Sequence, residues 1–294
     1  MKKVVCFGEI LWDMLPDGKK PGGAPMNVAF HLQKQGINST LISAVGMDEN
    51  GKDLLDYLNR NALDISFIEI IPDLPTGTVD VVLDREGKAT YTIHQPVAWD
   101  AIHYSKKLTD LTSHADALVY GTLAGREEIS RATLQRLIAT AKLKVLDMNL
   151  RPPHIRQDHL KLLLEQTDLL KINDEELYYL KKAFNLTGDD QELLSELGRM
   201  FSIETICVTR GDKGAMIMDG SRFYNHTGYK VKVADTVGAG DAFLATLIHG
   251  ILEQQPMEQV LVRANAVGAL VATKAGANAD YTENEIDTMC RNRF

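Results

Sequence analysis

From about residue 110 onward the chain repeats one pattern, a short and nearly unbroken apolar run followed by a stretch with helical period. The runs ALVYG, KVLDMN, LLKIN and TICVTRG have the length of strands, and amphipathic segments such as SRATLQRLIATAK and DEELYYLKKAF follow most of them. A strand that is apolar at nearly every position has no face to offer water, so it belongs inside a sheet covered on both sides. With helical crossovers between such strands, the pattern predicts an α/β fold: a doubly wound, mostly parallel sheet flanked by helices. The first half follows suit. VVCFG at residues 4–8 leads to a helix around Asn27–Gln35 that Gly36 stops, and TLISAVG at 40–46 leads to a helix around 51–60.

Residues 76–95 break this rhythm. Val79, Val81 and Leu83 alternate only in part with polar neighbours, DREGKA turns the chain, and ATYTIHQ returns. This reads as an antiparallel hairpin rather than a strand-helix-strand unit. Together with residues 11–23 it would form a small β-sheet flap outside the main sheet; the alternative is an edge extension of the core sheet. Residues 1–294 then read as a single domain carrying a discontinuous flap from about 11–23 and 76–98.

The chemistry concentrates at Asp235, Thr236, Val237, Gly238, Ala239, Gly240 and Asp241, which run directly into the apolar stretch FLATLIHGIL. Glycines allow close backbone approach and positive φ, and the first amides of a helix have no intrahelical partner, so they suit a phosphate or a developing negative charge. Asp241 would repel a phosphate. It can instead accept a proton from a hydroxyl that attacks a phosphoryl group held by the amides of Gly238, Ala239 and Gly240.

Other chemistries lose support. The formal net charge is −8, which argues against nucleic-acid or anionic-membrane partners. No apolar run approaches a membrane span and no signal-like segment opens the chain, so a cytoplasmic protein is expected. The three cysteines are scattered, and Cys6 and Cys207 read as small apolar strand residues. GMDENGK at 46–52 imitates a phosphate-binding loop, yet Asp53 stands where a magnesium-binding hydroxyl is needed, and Asp48 and Glu49 would bring negative charge to the phosphates.

DTVGAGD resembles the C-terminal signature of the ribokinase-like (PfkB) sugar kinases. The resemblance covers nearly the whole chain: GEILWDMLPDGKKPGGAPMNVAFHLQKQG, TGTVDVVLD, AWDAI, DMNLRPP, KINDEE, VTRGDKGA and the loop itself stand in the family's order. The opening stretch and AWDAI are most similar to fructokinases. The resemblance implies that Asp241 is the catalytic base, that the glycine-rich amides form an anion hole, and that the flap acts as a lid.

It further implies substrate contacts at Asp13, Gly22, Gly23 and Asn27. On the residues alone, Asn27 serves equally as a helix cap and the glycines as a turn. Asn149 and Arg151 follow the strand KVLDM, and Asn149 is assigned to the sugar side. Arg151 either stabilises the phosphoryl oxygens or holds Asp147 or Asp241. Asn173 and Glu176 match the family's NxxE motif, which orders magnesium largely through water, or else they cap a helix. Thr209 and Gly211 resemble nucleotide contacts, and Asn265 opens a segment to Gly276 expected to contribute to the adenine pocket. Asp235 and the Val237 carbonyl match half of a potassium site found in some members. Trp12 and Trp99 either face the sugar or pack the lid.

The expectation is an ATP- and magnesium-dependent kinase phosphorylating a primary hydroxyl of a neutral sugar, fructose first. A 2-keto-3-deoxygluconate, ribose or nucleoside kinase is the alternative, and a non-catalytic sugar-binding protein the remote one. Asp13 disfavours an acid sugar unless Lys19, Lys20 or Arg85 folds over the pocket. The flap's apolar alternation also offers a homodimer surface.

Overall fold

The computed structural model describes residues 1–16, 18–83 and 89–291; most of the turn DREGKA, and Arg85 with it, lies outside them. The strands are β1 (Lys3–Phe7), β2 (Leu11–Leu15), β3 (Gly18–Gly22), β4 (Asn38–Gly46), β5 (Ile68–Ile71), β6 (Gly77–Leu83), β7 (Ala89–Ile93), β8 (Ala117–Gly121), β9 (Lys144–Asp147), β10 (Leu169–Asn173), β11 (Thr205–Thr209), β12 (Ala215–Asp219) and β13 (Arg222–His226). The helices are α1 (Ala24–Lys34), α2 (Glu49–Arg60), α3 (Lys106–His114), α4 (Glu128–Ile138), α5 (Gln157–Leu164), α6 (Asp174–Ala183), α7 (Asp190–Phe201), α8 (Ala239–Leu252), α9 (Met257–Ala272) and α10 (Glu283–Arg291).

Nine strands form the main sheet in the order β13-β12-β11-β10-β9-β8-β1-β4-β5. From β11 across to β5 every pair is parallel, and the hairpin β12-β13 adds an antiparallel edge. The period of two along each strand sorts the core into two layers. Val5, Phe7, Leu118, Tyr120, Leu146, Leu170 and Ile206 point to the side covered by residues of α3 to α7. Val4, Cys6, Ala117, Val119, Val145, Leu169 and Cys207 point to the side covered by α1, α2, α8 and α9. Because β1 has β4 on one side and β8 on the other, the chain order reverses beside β1, and a crevice opens at the carboxyl ends of the strands there.

The hairpin of β6 and β7 stands apart from this sheet, so it is no edge extension. It joins β2 and β3 in a second sheet, ordered β3-β2-β6-β7. The sheet is mixed: β2-β3 and β6-β7 are antiparallel, whereas β2 and β6 run parallel and pair Asp13 with Val79. Leu11, Val79 and Val81 form its own small apolar cluster.

Local signals mostly act as expected. Helix α1 begins three residues ahead of Asn27, because Pro25 is tolerated in a first turn whose amides lack partners. Asp48, the acidic residue in the imitation phosphate loop, caps α2 by accepting from Gly51 N at 2.7 Å and also accepts from Thr76 N at 2.8 Å. Both tryptophans pack structure rather than a sugar face. Trp12 donates from Nε1 to Asn50 O at 2.9 Å, and the fully buried Trp99 lies under the Arg126 guanidinium. Among the described residues no helix is long and apolar enough to cross a membrane.

Candidate active site

A crevice of about 420 Å³ lies between the strand ends, the start of α8 and the small sheet. It gathers residues far apart in sequence: Asp13, Gly22, Gly23 and Asn27 from the first strand crossover, Asn149 and Arg151 beyond β9, and Val237, Gly238, Gly240 and Asp241 at α8. Glu9 and Lys171 also line it.

The α8 turn has the geometry of an anion cradle. Gly238 is the N-cap residue with φ 78°, a conformation that glycine adopts without a Cβ penalty. The amides of Gly238, Gly240 and Asp241 have no partner among the described residues, while Ala239 N donates to Thr236 O at 3.3 Å. Ala239 therefore does not supply an open amide as its place in the motif suggested; its N–H closes the turn, and three neighbours remain for an anion. Asn27 reaches the carboxylate beside them, donating from Nδ2 to Asp241 Oδ2 at 2.8 Å.

Beneath this turn sits a buried ion pair. Lys171 and Asp147, 8% and 3% exposed, approach to 2.9 Å between Nζ and Oδ1. A Cβ placed on Gly240 would stand 3.2 Å from the Lys171 ammonium, so the cation lies directly under the cradle. Burial alone would lower the lysine's pKa, but Asp147, Asp241 and Glu176 outweigh it, the net shift is upward, and Lys171 stays charged. Burial pushes Asp241 up to about 6, the Asp147 charge adds to the rise, and Lys171, the Asn27 amide and Arg151 oppose it.

Two more carboxyl groups share the crevice. Burial pushes Asp13 up to about 6 against the opposing charge of Arg151. Gly22 makes room for that side chain, since a Cβ there would lie 2.6 Å from Asp13 Oδ2. Glu9, 4% exposed, is pushed up to about 7 chiefly by burial, although hydrogen bonds from its own backbone amide and that of Ala24, together with Arg151, pull the other way. Its Oε2 has no partner among the described residues. Arg151 is exposed and makes no ion pair with Asp147 or Asp241 among the described residues, so its guanidinium stands at the crevice rather than bracing either acid.

Asn173 and Glu176 form a reciprocal cap at α6. Asn173 Oδ1 accepts from Glu176 N at 2.8 Å, and Glu176 Oε2 accepts from Asn173 N at 2.9 Å. Glu176 Oε1 also accepts from Leu150 N at 2.7 Å, so this carboxylate ties the end of β10 to the segment carrying Arg151. Neither residue lines the crevice. Thr209 pairs in register with Asn173 and donates to Ile172 O at 3.3 Å, and Gly211 sits at φ 57° opening a short 3-10 turn. Asn265, expected at the nucleotide, does not line the crevice. It is 8% exposed and donates from Nδ2 to Leu261 O in its own helix at 2.8 Å, because a helical Asn side chain readily bonds the carbonyl one turn back.

Asp235 lies just outside the crevice, in an adjoining cavity of about 340 Å³ that Val237, Gly276 and Ala277 also line. Its two oxygens accept from Val237 N at 3.0 Å and Gly276 N at 3.1 Å. Sequence reading overlooked Glu9 and Lys171 as site residues. The signal for Lys171 was present, a charged residue inside the apolar run LLKIN, which a strand buried on both faces accepts only with a partner. Glu9 carried a weaker one, an acid one residue past a buried strand.

Comparison with known proteins places this geometry in a family. A model of pfkB family carbohydrate kinases matches residues 1–284. The chain is 28% identical to a fructokinase of Salmonella typhimurium over 296 residues, covering 94% of each protein. Its fold matches the crystal structure of a Xylella fastidiosa fructokinase with bound ATP at a TM-score of 0.84 and 23% identity, with 98% of each chain covered. A Vibrio cholerae fructokinase solved with fructose, ADP and a calcium ion superposes at a TM-score of 0.83, 26% identical, with 99% of each chain covered.

Proposed function

The chain belongs to the pfkB family of carbohydrate kinases, and within it we propose that this enzyme transfers the γ-phosphate of ATP to a primary hydroxyl of D-fructose, giving fructose 6-phosphate. The observation that carries the reading is the pairing of three open amides, at Gly238, Gly240 and Asp241, with a carboxylate that Asn27 orients in the same crevice. The amides, with Lys171 below and Arg151 at the mouth, would neutralise the phosphoryl oxygens. Asp241 would take the hydroxyl proton, and because phosphoryl transfer is largely dissociative, a modest base suffices. Asp13 and Asn27 would hold the sugar, with the small sheet as its lid.

Bound magnesium would supply charge neutralisation at the ATP phosphates. Among the described residues no cluster of three or more His, Cys, Asp or Glu side chains suits direct ligation. That fits an ion held mostly by phosphates and water. Both Glu176 oxygens already accept backbone amides, so Asn173 and Glu176 would act on it through water. For a potassium ion, the oxygens of Asp235 and the Val237 carbonyl are suitable hard donors, since each Asp235 oxygen spends only one lone pair on an amide.

A neutral rather than an acidic sugar is favoured by the Asp13 carboxylate in the crevice and by Lys19, which is engaged by Asp53 at 2.5 Å and by Asn50 Oδ1 at 2.9 Å; Arg151 in the crevice and Lys20 beside Asp13 are the cations an acid sugar would need. The small sheet, with Tyr91 57% exposed on it, is the surface we assign to pairing with a second copy; light scattering would show a doubled mass. Release of ADP measured with fructose, ribose, 2-keto-3-deoxygluconate and adenosine tests the assignment. Fructose should give the highest kcat/KM. A clear preference for another acceptor would reassign the substrate, and no release with any acceptor would remove the kinase reading.

A further inference from the structure

We propose that His31 is a positioning residue for the phosphoryl-binding turn, acting through the backbone of Ala277; the inference rests on the phosphoryl-transfer reading of that turn. His31 lies on α1 one helical turn beyond Asn27 and is completely buried. Its Nε2 is 2.9 Å from Ala277 O and its Nδ1 is 3.2 Å from the Tyr281 hydroxyl. A carbonyl oxygen only accepts, so Nε2 carries the hydrogen and Nδ1 accepts from Tyr281. The imidazole also stacks on the Tyr281 ring, with centroids 5.6 Å apart and planes inclined by 13°. Both ring nitrogens and one ring face are thus engaged. Burial holds the imidazole's pKa down at about 4, and it stays neutral.

What His31 grips is the wall behind the cradle. A Cβ on Gly238 would fall 2.5 Å from both Cα and O of Ala277, so the Ala277 peptide packs against the N-cap glycine of α8. The preceding residue, Gly276, donates to Asp235 Oδ2, and Asp235 Oδ1 accepts from Val237 N. Loop 276–277 therefore backs the turn at two points, one at Asp235 and one at Gly238. Helix α1 then addresses both halves of the site from one face: Asn27 holds the Asp241 carboxylate, and His31 holds the peptide against which the open amides are set. Were the Ala277 carbonyl unheld, that peptide could rotate, and Gly238 would lose the surface fixing its φ.

The test compares His31→Phe, which keeps the ring stack but has no donor, with His31→Gln, whose amide can donate to the Ala277 carbonyl. In His31→Phe, affinity for a non-hydrolysable ATP analogue measured by calorimetry should fall and kcat should drop about 10- to 100-fold, the scale of a small misplacement of reacting groups. Fructose affinity measured without nucleotide should stay within about threefold, and His31→Gln should recover most of both losses. Tyr281→Phe, which removes only the hydroxyl facing Nδ1, is a milder probe should His31→Phe fold poorly, and should move the analogue's affinity in the same direction. Unchanged analogue affinity in folded His31→Phe or Tyr281→Phe, or a His31→Gln variant as impaired as His31→Phe, would overturn the proposal. Analogue binding can be read even if no sugar is phosphorylated, so failure of the kinase assignment is seen separately.

Discussion

Asn27 and Asp241, 214 positions apart in sequence, meet through one hydrogen bond of 2.8 Å from Nδ2 to Oδ2. The bond binds the helix that follows β3 to the helix that follows the glycine turn, and it leaves Asp241 Oδ1 without a hydrogen bond among the described residues, as the proposed base requires. Asp241→Asn should therefore lower kcat by roughly 10² to 10⁴ fold while changing sugar affinity little. Steady-state kinetics with sugar binding measured separately would check this, and near-normal turnover would remove Asp241 from the role of base.

The same bond makes a pH prediction. Asp241 must be ionised to accept a proton, and its carboxyl is pushed up to about 6, so kcat/KM should fall about tenfold per pH unit below that value. A hydrogen bond to the carboxylate favours the ionised form. Its loss in Asn27→Ala should shift the acid limb to higher pH. A limb that stays in place or moves down would contradict the assignment.

Lys171 and Asp147 supply a stability prediction. Lys171→Met leaves the Asp147 carboxylate buried without its cation, an arrangement that costs about 3–5 kcal/mol. Denaturant melts should show that loss, and the double variant Lys171→Met with Asp147→Leu should regain much of it. Activity should not return with stability, because the charge beneath Gly240 is gone in both proteins. Joint recovery would reduce Lys171 to a core residue.

Gly18 and Gly23 separate backbone strain from packing. Both have positive φ, 131° and 118°, but a Cβ on Gly18 meets nothing within 4 Å, whereas one on Gly23 would lie 2.3 Å from Glu9 O. Gly18→Ala should cost only the backbone penalty, roughly 1–3 kcal/mol. Gly23→Ala should cost clearly more and should also weaken sugar binding, since the displaced backbone carries Glu9 and the start of α1. Equal melting temperatures for the two variants would refute this.

Glu9 should limit stability in alkaline solution. Its folded pKa, about 7, lies above the ordinary value of 4.5, so the fold binds its proton more tightly than the unfolded chain does. The stability this contributes is full below about 4.5 and is lost as pH rises through 7. Glu9→Gln should then raise stability at pH 8 by on the order of 1–3 kcal/mol, with the gain vanishing near pH 4. Melts at the two pH values decide the matter.

Much of the crevice lining was legible before folding. Asp241 with its glycines, Asp13, Gly22, Gly23, Asn27, Asn149 and Arg151 all line the crevice, because each sits at a strand end or helix start that periodicity reveals. The Asn265 side chain and the Ala239 amide each bond a backbone carbonyl within a few residues, and spacing alone does not say which donors and acceptors such bonds already engage. The NxxE pair caps α6 as its spacing allows, whereas the bond from Leu150 N, beyond the end of β9, to Glu176 Oε1 is supplied only by the fold.

By itself the amino-acid order determined the alternation of buried strands and crossover helices, the hairpin set apart from it, and the turn primed for an anion, since these follow from periodicity and local backbone preference. Tertiary structure alone decided that Lys171 lies under Gly240, that Glu9 and Asp13 share one poorly hydrated crevice, and that His31 reaches Ala277. The physical reason is desolvation: a charge or donor acquires its strength from what excludes water around it, and those neighbours are brought together by the fold, across as many as 246 positions for His31 and Ala277.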